Sequence, residues 1–221
     1  MHEEDHPGDE PCFAHHIIGG HVVDADTWRD VARFRKAERS RLYAARRALS
    51  QAEQKAQATR VMAMLTEEIG PPEGRTIAGY WLIRGEMDLR PWLSDMAAHG
   101  AQIALPVVIA KGAPVAFHRW QPGATMARGV WNIPVPAEPD PVQPDTVIVP
   151  LLGVDAAGYR LGNGGGYYDM TLAALDPRPR IIGVGHGFCA LPTIFPQPWD
   201  IPMEVVLLGD GVRNSPSHPE G

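Results

Sequence analysis

The chain has 221 residues, of which 44% are hydrophobic and 21% charged, and its formal net charge is −6. These values are typical of a folded protein with one sizeable domain. The acidic balance argues against a dedicated nucleic-acid-binding protein. No apolar run approaches the roughly 18 residues of a membrane-spanning helix, and the acidic, His-rich N-terminus is no secretory signal. The 2 cysteines do not make a disulfide framework. We therefore expect a cytoplasmic protein with neither a membrane nor a nucleic-acid partner.

The N-terminal part predicts a polar leader followed by two helices. Residues 1–25 show no apolar period, and we interpret them, histidines included, as a flexible leader. Asp26 or Thr27 is expected to cap a helix that runs to about Leu49. A second helix over 51–69 opens with the capping-box pattern Ser50-x-x-Glu53 and ends at Gly70. Of the 20 basic residues, 10 lie between Arg29 and Arg60, which indicates an anionic ligand near these helices.

The rest of the chain alternates between strand-like and helix-like segments. Helices are predicted over 89–99 and 168–175. Strands are predicted over 76–82, 102–108, 115–120, 146–151, 180–185 and 204–208. A Pro- and Gly-rich loop with one short apolar piece, 130–135, precedes residue 144. The alternation predicts an α/β fold with a layered sheet. We expect one domain over 26–213 and a flexible tail over 214–221.

A glycine-rich loop, RLGNGGGYYD at 160–169, follows a buried strand and opens the last predicted helix. Glycines allow backbone N–H groups to converge, and a helix N-terminus adds positive partial charge, so the loop suits phosphate oxygens. Arg160 suits a bidentate phosphate contact, and Asp169 suits a magnesium ion that bridges phosphates. The loop does not have the GxxxxGK[ST] pattern of a P-loop. It also lacks the dinucleotide-binding fingerprint, because Tyr167 stands where that pattern needs its third glycine. The alternative is a tight turn without a ligand.

The same ten residues resemble the RLG-x-G-x-GYYD signature of the 5-formyltetrahydrofolate cyclo-ligases, also called methenyltetrahydrofolate synthetases. Other segments agree with that family in order and spacing, and the resemblance covers about residues 28–213. These segments are Arg35 and Arg39 leading to RRALS at 46–50, GYWLIRGEMDLRPWL at 79–93, GAQIALPVV at 100–108, FHRWQPG…GVWNIPVP at 117–136 and IIGVGHGF…FPQPWDIPMEVVLL at 181–208. The resemblance implies a three-layer α/β/α sandwich with a mostly parallel central sheet, NagB/RpiA/CoA-transferase-like.

The resemblance also implies an activity and a set of site residues. The activity is ATP- and Mg²⁺-dependent conversion of the reduced folate 5-formyltetrahydrofolate to 5,10-methenyltetrahydrofolate, through phosphorylation of the formyl oxygen, by a monomer or small homo-oligomer. The implied metal residues are Asp169 and Asp200, and Arg160 and Tyr168 are the implied catalytic residues. The substrate residues are Trp81, Glu86 and Asn163 to Tyr167. The ATP residues are Arg35, Arg39, Arg160, Leu161, Gly162, Asn163, Gly164, Gly165, Gly166, Tyr167 and Tyr168.

Each assignment has an ordinary structural alternative. The two arginines of the first helix suit a solvated face, Trp81 suits the core, Glu86 suits a surface loop, and the two aspartates suit caps or turns. Several positions also depart from the family pattern, namely Val135, Asn163, Cys189, Leu208 and Gly209. They leave open a catalytically altered paralogue that binds ATP and a folate-like or other formylated ligand. A nucleic-acid-binding role for the arginine-rich helix is the third hypothesis, which the acidic net charge opposes.

Overall fold

The computed structural model describes residues 15–18 and 21–216. Its helices are α1 (Ala25–Ala48), α2 (Gln51–Ile69), α3 (Arg90–Ala98) and α4 (Tyr167–Ala174). Its strands are β1 (His15–Ile18), β2 (His21–Asp24), β3 (Thr76–Ala78), β4 (Gln102–Val107), β5 (Ala116–Trp120), β6 (Met126–Arg128), β7 (Pro134–Pro136), β8 (Thr146–Pro150), β9 (Gly153–Asp155), β10 (Arg160–Leu161), β11 (Arg180–Gly185), β12 (Ala190–Leu191), β13 (Val205–Leu208) and β14 (Arg213–Asn214). Among these described residues, no helix is long and apolar enough to cross a membrane.

A seven-stranded sheet with the order β14-β13-β11-β8-β3-β4-β5 forms the centre of the molecule. The strands from β13 to β4 run parallel, whereas β5 and β14 pair antiparallel at the two edges. Strands that are buried on both faces are typical of parallel sheets covered by helices, and β8 is buried from Thr146 to Val149. The mostly parallel α/β sheet predicted from the sequence is therefore confirmed.

Side chains that alternate along the strands divide the core between the two faces of the sheet. Ile148 and Ile182 pack on one face with α2 and α3. Val147 and Val149 pack on the opposite face with Leu172 of α4. The sheet thus has helices on both sides, which gives three layers.

A small sheet of β10-β9-β12 connects α1 with the central sheet. Leu42 of α1 packs with Leu161 of β10 and Leu191 of β12 in a separate apolar cluster. The sequence did not predict this sheet, because strands of two or three residues carry no periodic signal. Because of this small sheet, the glycine loop follows β10 and lies against α1. It does not follow β8 directly.

The helix starts and ends follow the predicted chemistry, with one correction. The capping box of α2 is present, and Gly70 caps its C-terminus, as predicted. The cap of α1 is Asp24, not Asp26 or Thr27, because the Asp24 Oδ1 atom accepts a hydrogen bond from the Thr27 backbone N–H at 2.7 Å. The general rule that N-caps are short polar residues holds; the position was misjudged by two to three residues.

Two predicted segments have a different form in the structure. The strand expected over 76–82 ends at Ala78, and the chain continues in irregular form to a turn at Arg84 and Gly85, both with positive φ. The Tyr80 hydroxyl donates to the Met87 carbonyl at 2.9 Å across this segment. The loop expected before residue 144 contains a β6/β7 ribbon. The ribbon joins Met126–Arg128 to Pro134–Pro136 and carries a 3₁₀ turn at its tip.

The predicted leader contains regular structure in its described part. β1 and β2 pair antiparallel directly before α1, whereas residues 1–14 and 19–20 lie outside the described residues. At the other end Asn214, the first residue of the predicted tail, pairs within β14, and residues 217–221 are outside the description. The domain limits 26–213 and the flexibility of both ends remain predictions.

Candidate active site

A cleft of about 670 Å³ opens where the parallel strands end. Tyr80 and Trp81 follow β3, Val108 follows β4, and Pro150 with Leu152 closes β8; all five line the cleft. Ligand sites of open α/β sheets lie at the carboxyl ends of strands, so the position agrees with the rule. One face of α1 and the glycine loop form the other walls.

The glycine loop lines the cleft from Gly162 to Gly166. A side chain at position 162 would overlap with the Nη1 atom of Arg160, so glycine permits the loop to fold over that guanidinium. Gly166 has a φ of +67° and is the N-cap of α4, a conformation that favours glycine. The loop therefore brings backbone, an arginine and a helix N-terminus to one place, as its sequence predicted.

Arg160 is buried beneath the loop with only part of its hydrogen-bonding capacity used. Its side chain donates to the Asp169 Oδ2 atom at 2.7 Å, and its guanidinium carbon lies 5.2 Å from the centre of the Tyr168 ring. Its Nε atom is buried and finds no partner within the described part of the chain. Unpaired buried donors are costly in proteins, so this geometry favours an anion at the loop.

Arg35 and Arg39 lie one turn apart on α1 and both face the cleft. The Arg39 Nε atom donates to the Gly162 carbonyl at 2.8 Å. Burial, and then the neighbouring charge of Arg35, lowers the pKa of the Arg39 guanidinium. No carboxylate of the described residues forms a salt bridge with Arg39, which leaves its charge available to a ligand anion.

Arg35 is only 7% exposed, so it is not part of a solvated helix face. It donates to the carbonyls of Ile194 at 3.0 Å and Phe195 at 2.9 Å, and it forms an ion pair with Asp200. Arg35 and Arg46 are buried on α1 with Val31 and Leu42, which excludes the solvated-face alternative for Arg35. Arg35 donates to a carbonyl 159 residues further along the chain, and Arg46 to carbonyls 38 and 105 residues further along, so no local pattern reveals these contacts.

The two predicted metal residues line the cleft, and each carries an ion pair. Asp169 pairs with Arg160 and accepts from the Ile201 N–H at 3.2 Å. Asp200 pairs with Arg35 and accepts from the Gln197 N–H at 2.7 Å. Within residues 15–18 and 21–216 no three His, Cys, Asp or Glu side chains gather as a metal cluster. Magnesium usually takes only one or two carboxylates besides phosphates and water, so this donor set fits an ion that arrives with a nucleotide.

Glu86 also lines the cleft, where the charges of Arg46 and Arg160 act on its carboxyl group. Burial raises the pKa of its carboxyl group, although the Ile83 N–H, Arg46 and a hydrogen bond with Asn163 oppose the shift. Trp81, for which the sequence left a substrate contact or a core position open, is half-buried, packs on the core and also lines the cleft. Glu86 is 9% exposed and so is not a surface acid.

The two tyrosines of the loop differ in their surroundings. The Tyr168 hydroxyl is buried without a partner among the described residues, and burial, with Glu86 nearby, raises the pKa of that hydroxyl. Tyr168 therefore stays protonated and keeps a free hydrogen-bond donor in the cleft. The Tyr167 hydroxyl accepts from the Gly112 N–H at 3.2 Å, and its ring meets Trp131 at 5.2 Å between centroids.

Several cleft residues were not predicted from the sequence. Trp28, Arg84, Trp131 and Trp199 line the cleft, and Tyr43 donates a hydrogen bond to Asn163. Trp28 offered a signal, because it shares a helix face with the two predicted arginines. Trp131 and Arg84 offered none, since both sit in irregular turns with positive φ.

The departures from the family pattern lie mostly away from the cleft. Among the described residues, its lining includes Asn163 but not Val135, Cys189, Leu208 or Gly209. Cys189 is fully buried, and burial raises the pKa of its thiol to about 12. It is therefore a small apolar core residue.

Comparisons with known proteins agree with the resemblance. A sequence model of the 5-formyltetrahydrofolate cyclo-ligase family matches residues 31–209. The chain is 32% identical over 142 residues to a 5-formyltetrahydrofolate cyclo-ligase of Mycolicibacterium smegmatis, which covers 61% of this chain and 73% of the relative. It is 31% identical over 140 residues to that of Escherichia coli K12, covering 60% and 76%. The NMR structure of Aquifex aeolicus 5,10-methenyltetrahydrofolate synthetase superposes with a TM-score of 0.69 at 26% identity, covering 84% of this chain and 95% of that one.

Proposed function

Because the chain belongs to the 5-formyltetrahydrofolate cyclo-ligase family, we propose that its cleft binds ATP and 5-formyltetrahydrofolate together, with the transferred phosphate on the glycine loop. The reaction converts the two substrates to 5,10-methenyltetrahydrofolate, ADP and phosphate. The γ-phosphoryl group passes to the formyl oxygen, which frees ADP. N10 then attacks the formyl carbon and loses its proton, and the C–O bond breaks as phosphate leaves. No protein nucleophile is needed, so positioning and charge neutralisation are the protein's tasks.

The observation that carries the proposal is the convergence of Arg39 and Arg160 on the glycine loop. Arg39 contacts the Gly162 carbonyl and has no ion pair among the described residues, and the Arg160 Nε atom has no partner there. Charge that develops on a transferring phosphoryl group is stabilised by such fixed cations. The protonated hydroxyl of Tyr168 donates a hydrogen bond to the phosphate or the formyl oxygen from the same side. We therefore keep Arg160 and Tyr168 as the proposed catalytic residues.

The folate is proposed to bind between Trp81 and Glu86, next to the glycine loop. Glu86 and Asn163 both line the cleft, and Asn163 opposes the rise that burial causes in the pKa of the Glu86 carboxyl group, so the glutamate and the loop present neighbouring polar groups to the substrate. Trp81 offers an apolar surface to the ring system, and the Arg90 guanidinium covers its ring at 5.1 Å. Because four of the five departures lie outside the cleft, no observation favours the altered-paralogue alternative.

Asp169 and Asp200 would hold Mg²⁺, as oxygen ligands beside the phosphates. When bound, the ion neutralises phosphate charge. Arg35 and Arg160 hold these two carboxylates in place and so fix the metal donors next to the loop. We also propose that the protein is located in the cytoplasm and is a monomer or a small homo-oligomer.

The test is the ATP-dependent absorbance of the methenyl product, with purified protein, Mg²⁺, ATP and 5-formyltetrahydrofolate. We expect product with ATP and none without it. The Arg160→Ala, Asp169→Asn double variant tests the phosphate site of the glycine loop. Both members of the ion pair are replaced, because removal of Arg160 alone would leave a buried unpaired carboxylate. The double variant is expected to stay folded and to bind ATP at least about tenfold more weakly. Absence of product in the wild type contradicts the activity. Unchanged ATP affinity in the folded double variant contradicts the assignment of the loop.

A further inference from the structure

Trp28 and Trp199 form an aromatic pair at one end of the cleft that no step above uses. Both line the cleft, and their rings meet edge to face with centroids 5.5 Å apart. His21 of β2 lies behind the pair, 6.0 Å from the Trp199 ring. Each tryptophan is only partly buried, so aromatic surface remains open to a ligand. We propose that this pair is the platform on which the purine base of the nucleotide stacks, an inference that rests on the proposed ATP-dependent function.

The order of residues along α1 supports this placement. Trp28, Ala32, Arg35 and Arg39 all line the cleft. In a helix of 3.6 residues per turn they share one face, and Trp28 lies about 16 Å along the axis from Arg39. That span is comparable to an extended nucleoside triphosphate, so a phosphate at Arg39 leaves its base near Trp28.

The neighbours of α1 show which direction the base takes. Toward its C-terminal end, Tyr43 contacts Asn163, and Arg46 contacts the carbonyl of Arg84, which is the side that carries Glu86. In the middle, Arg39 contacts the glycine loop. Toward its N-terminal end, Arg35 pairs with Asp200, next to Trp199. The phosphate position thus separates the Glu86 side from the aromatic pair, and the base and the folate lie at opposite ends.

The aromatic pair is partly outside the segment shared with the family. The family model begins at residue 31, whereas Trp28 precedes it and β1–β2 lead into it. The described part of the N-terminal segment therefore supplies one of the two rings and the His21 contact behind the other. Stacking on aromatic side chains tolerates different bases, because every base has a π face. The pair is expected to raise affinity for nucleotides without contacting the reacting atoms.

The experiment compares ATP with inorganic tripolyphosphate, which has no base, by calorimetry in the presence of Mg²⁺. Trp28→Ala and Trp199→Ala are each expected to weaken ATP binding about tenfold and to leave tripolyphosphate binding unchanged. The KM for ATP rises by a similar factor, whereas kcat and the KM for 5-formyltetrahydrofolate stay the same. Trp28→Phe keeps a stacking surface and is expected to recover most of the affinity. Arg29→Ala is the control on the same turn, since Arg29 is exposed and, within the described part of the chain, forms an ion pair with Asp26 alone.

The possible results separate this inference from the proposed function. If both alanine variants bind ATP like the wild type, the base lies elsewhere and the inference is wrong. Equal losses for ATP and tripolyphosphate also overturn it, because the rings then act on the phosphate site or the fold. If the alanine variants raise only the KM for 5-formyltetrahydrofolate, the aromatic pair contacts the folate and the inference is also wrong. A wild-type protein that binds no ATP contradicts the proposed function itself. Thermal melts of Trp28→Ala and Trp199→Ala check that both variants are folded, so that a selective loss of ATP affinity supports the inference.

Discussion

The carboxyl group of Glu86 is buried, and burial disfavours its ionised form. Its pKa is raised above the ordinary value of 4.5, with burial as the largest cause. A raised pKa in the folded state means that folding favours the protonated form. Stability is therefore fully present below pH 4.5 and decreases as the pH rises through the raised pKa of the folded protein. A substrate contact that needs the ionised form is thus obtained at some cost to stability.

We expect Glu86→Gln to separate these two effects. The amide keeps an acceptor for the Ile83 N–H but carries no buried charge, so the variant melts higher than the wild type at pH 7.5. The difference disappears below about pH 4.5. Its kcat/KM for 5-formyltetrahydrofolate falls, and the acidic limb of the pH profile that reports Glu86 disappears. Melting curves and kcat/KM measured across this pH range check both. A variant that is less stable at neutral pH, or that keeps the acidic limb, contradicts the assignment.

Single residues show what the sequence could and could not predict about the site. The glycine loop was predictable because each of its functional groups is local: glycines, an arginine and a helix start within ten residues. The buried state of Arg35 was not predictable, because its partners at 194, 195 and 200 belong to a distant loop. A charged residue on a helix is usually solvated, and only tertiary structure reverses that expectation here.

The glycine loop acts as one element with Arg160, and we expect Gly162→Ala to disturb it. The new methyl group overlaps with the guanidinium of Arg160 and must displace it. Loss of one charge-assisted hydrogen bond weakens ATP binding by about tenfold or more. Since Gly162 does not have a positive φ, the fold should remain intact. Calorimetry with ATP and a thermal melt measure the two effects.

Gly123→Ala is the matched control for that prediction. Gly123 has a φ of +81° and no atom near its missing side chain, and it lies outside the lining of the cleft. The substitution introduces backbone strain of order 1 kcal/mol but no clash with an arginine. We expect lower stability with normal ATP affinity, the reverse of Gly162→Ala. If both variants lose affinity equally, the loop is sensitive to general destabilisation and the specific contact is not responsible.

Whether an element could be predicted depended on its length and pattern. α2 has a capping box and a terminal glycine, and its expected extent of about 51–69 agrees with the structure. β9, β10 and β12 have two or three residues each, and β7 consists of Pro-Val-Pro. Proline and short length normally argue against strands. These segments form strands because tertiary contacts hold them, as Leu161 and Leu191 do against Leu42.

At the scale of the whole molecule, the parallel sheet carries the site as the α/β pattern indicated. Apolar strands at β8 and β11 predicted a covered sheet, and a covered parallel sheet predicts a ligand site at its carboxyl ends. The α/β pattern alone did not predict that α1 runs along that site, although the basic residues between Arg29 and Arg60 indicated an anionic ligand near this helix. The cleft thus has walls from the N-terminal helix, the central sheet and the C-terminal loop near Asp200.

Because the cleft joins these distant parts of the chain, nucleotide binding should stabilise the whole fold. A ligand that binds only the native state at 100 times its Kd adds about 2.7 kcal/mol. For a domain of this size about 1 kcal/mol moves the Tm by about 2–4 °C, so saturating Mg²⁺-ATP is expected to raise the Tm by about 5–10 °C. Thermal melts with Mg²⁺-ATP, Mg²⁺-ADP and Mg²⁺ alone measure this. Mg²⁺ alone should change little, because the two aspartates already pair with arginines. An equal shift with Mg²⁺ alone would place a preformed metal site in the protein and contradict an ion that arrives with the nucleotide.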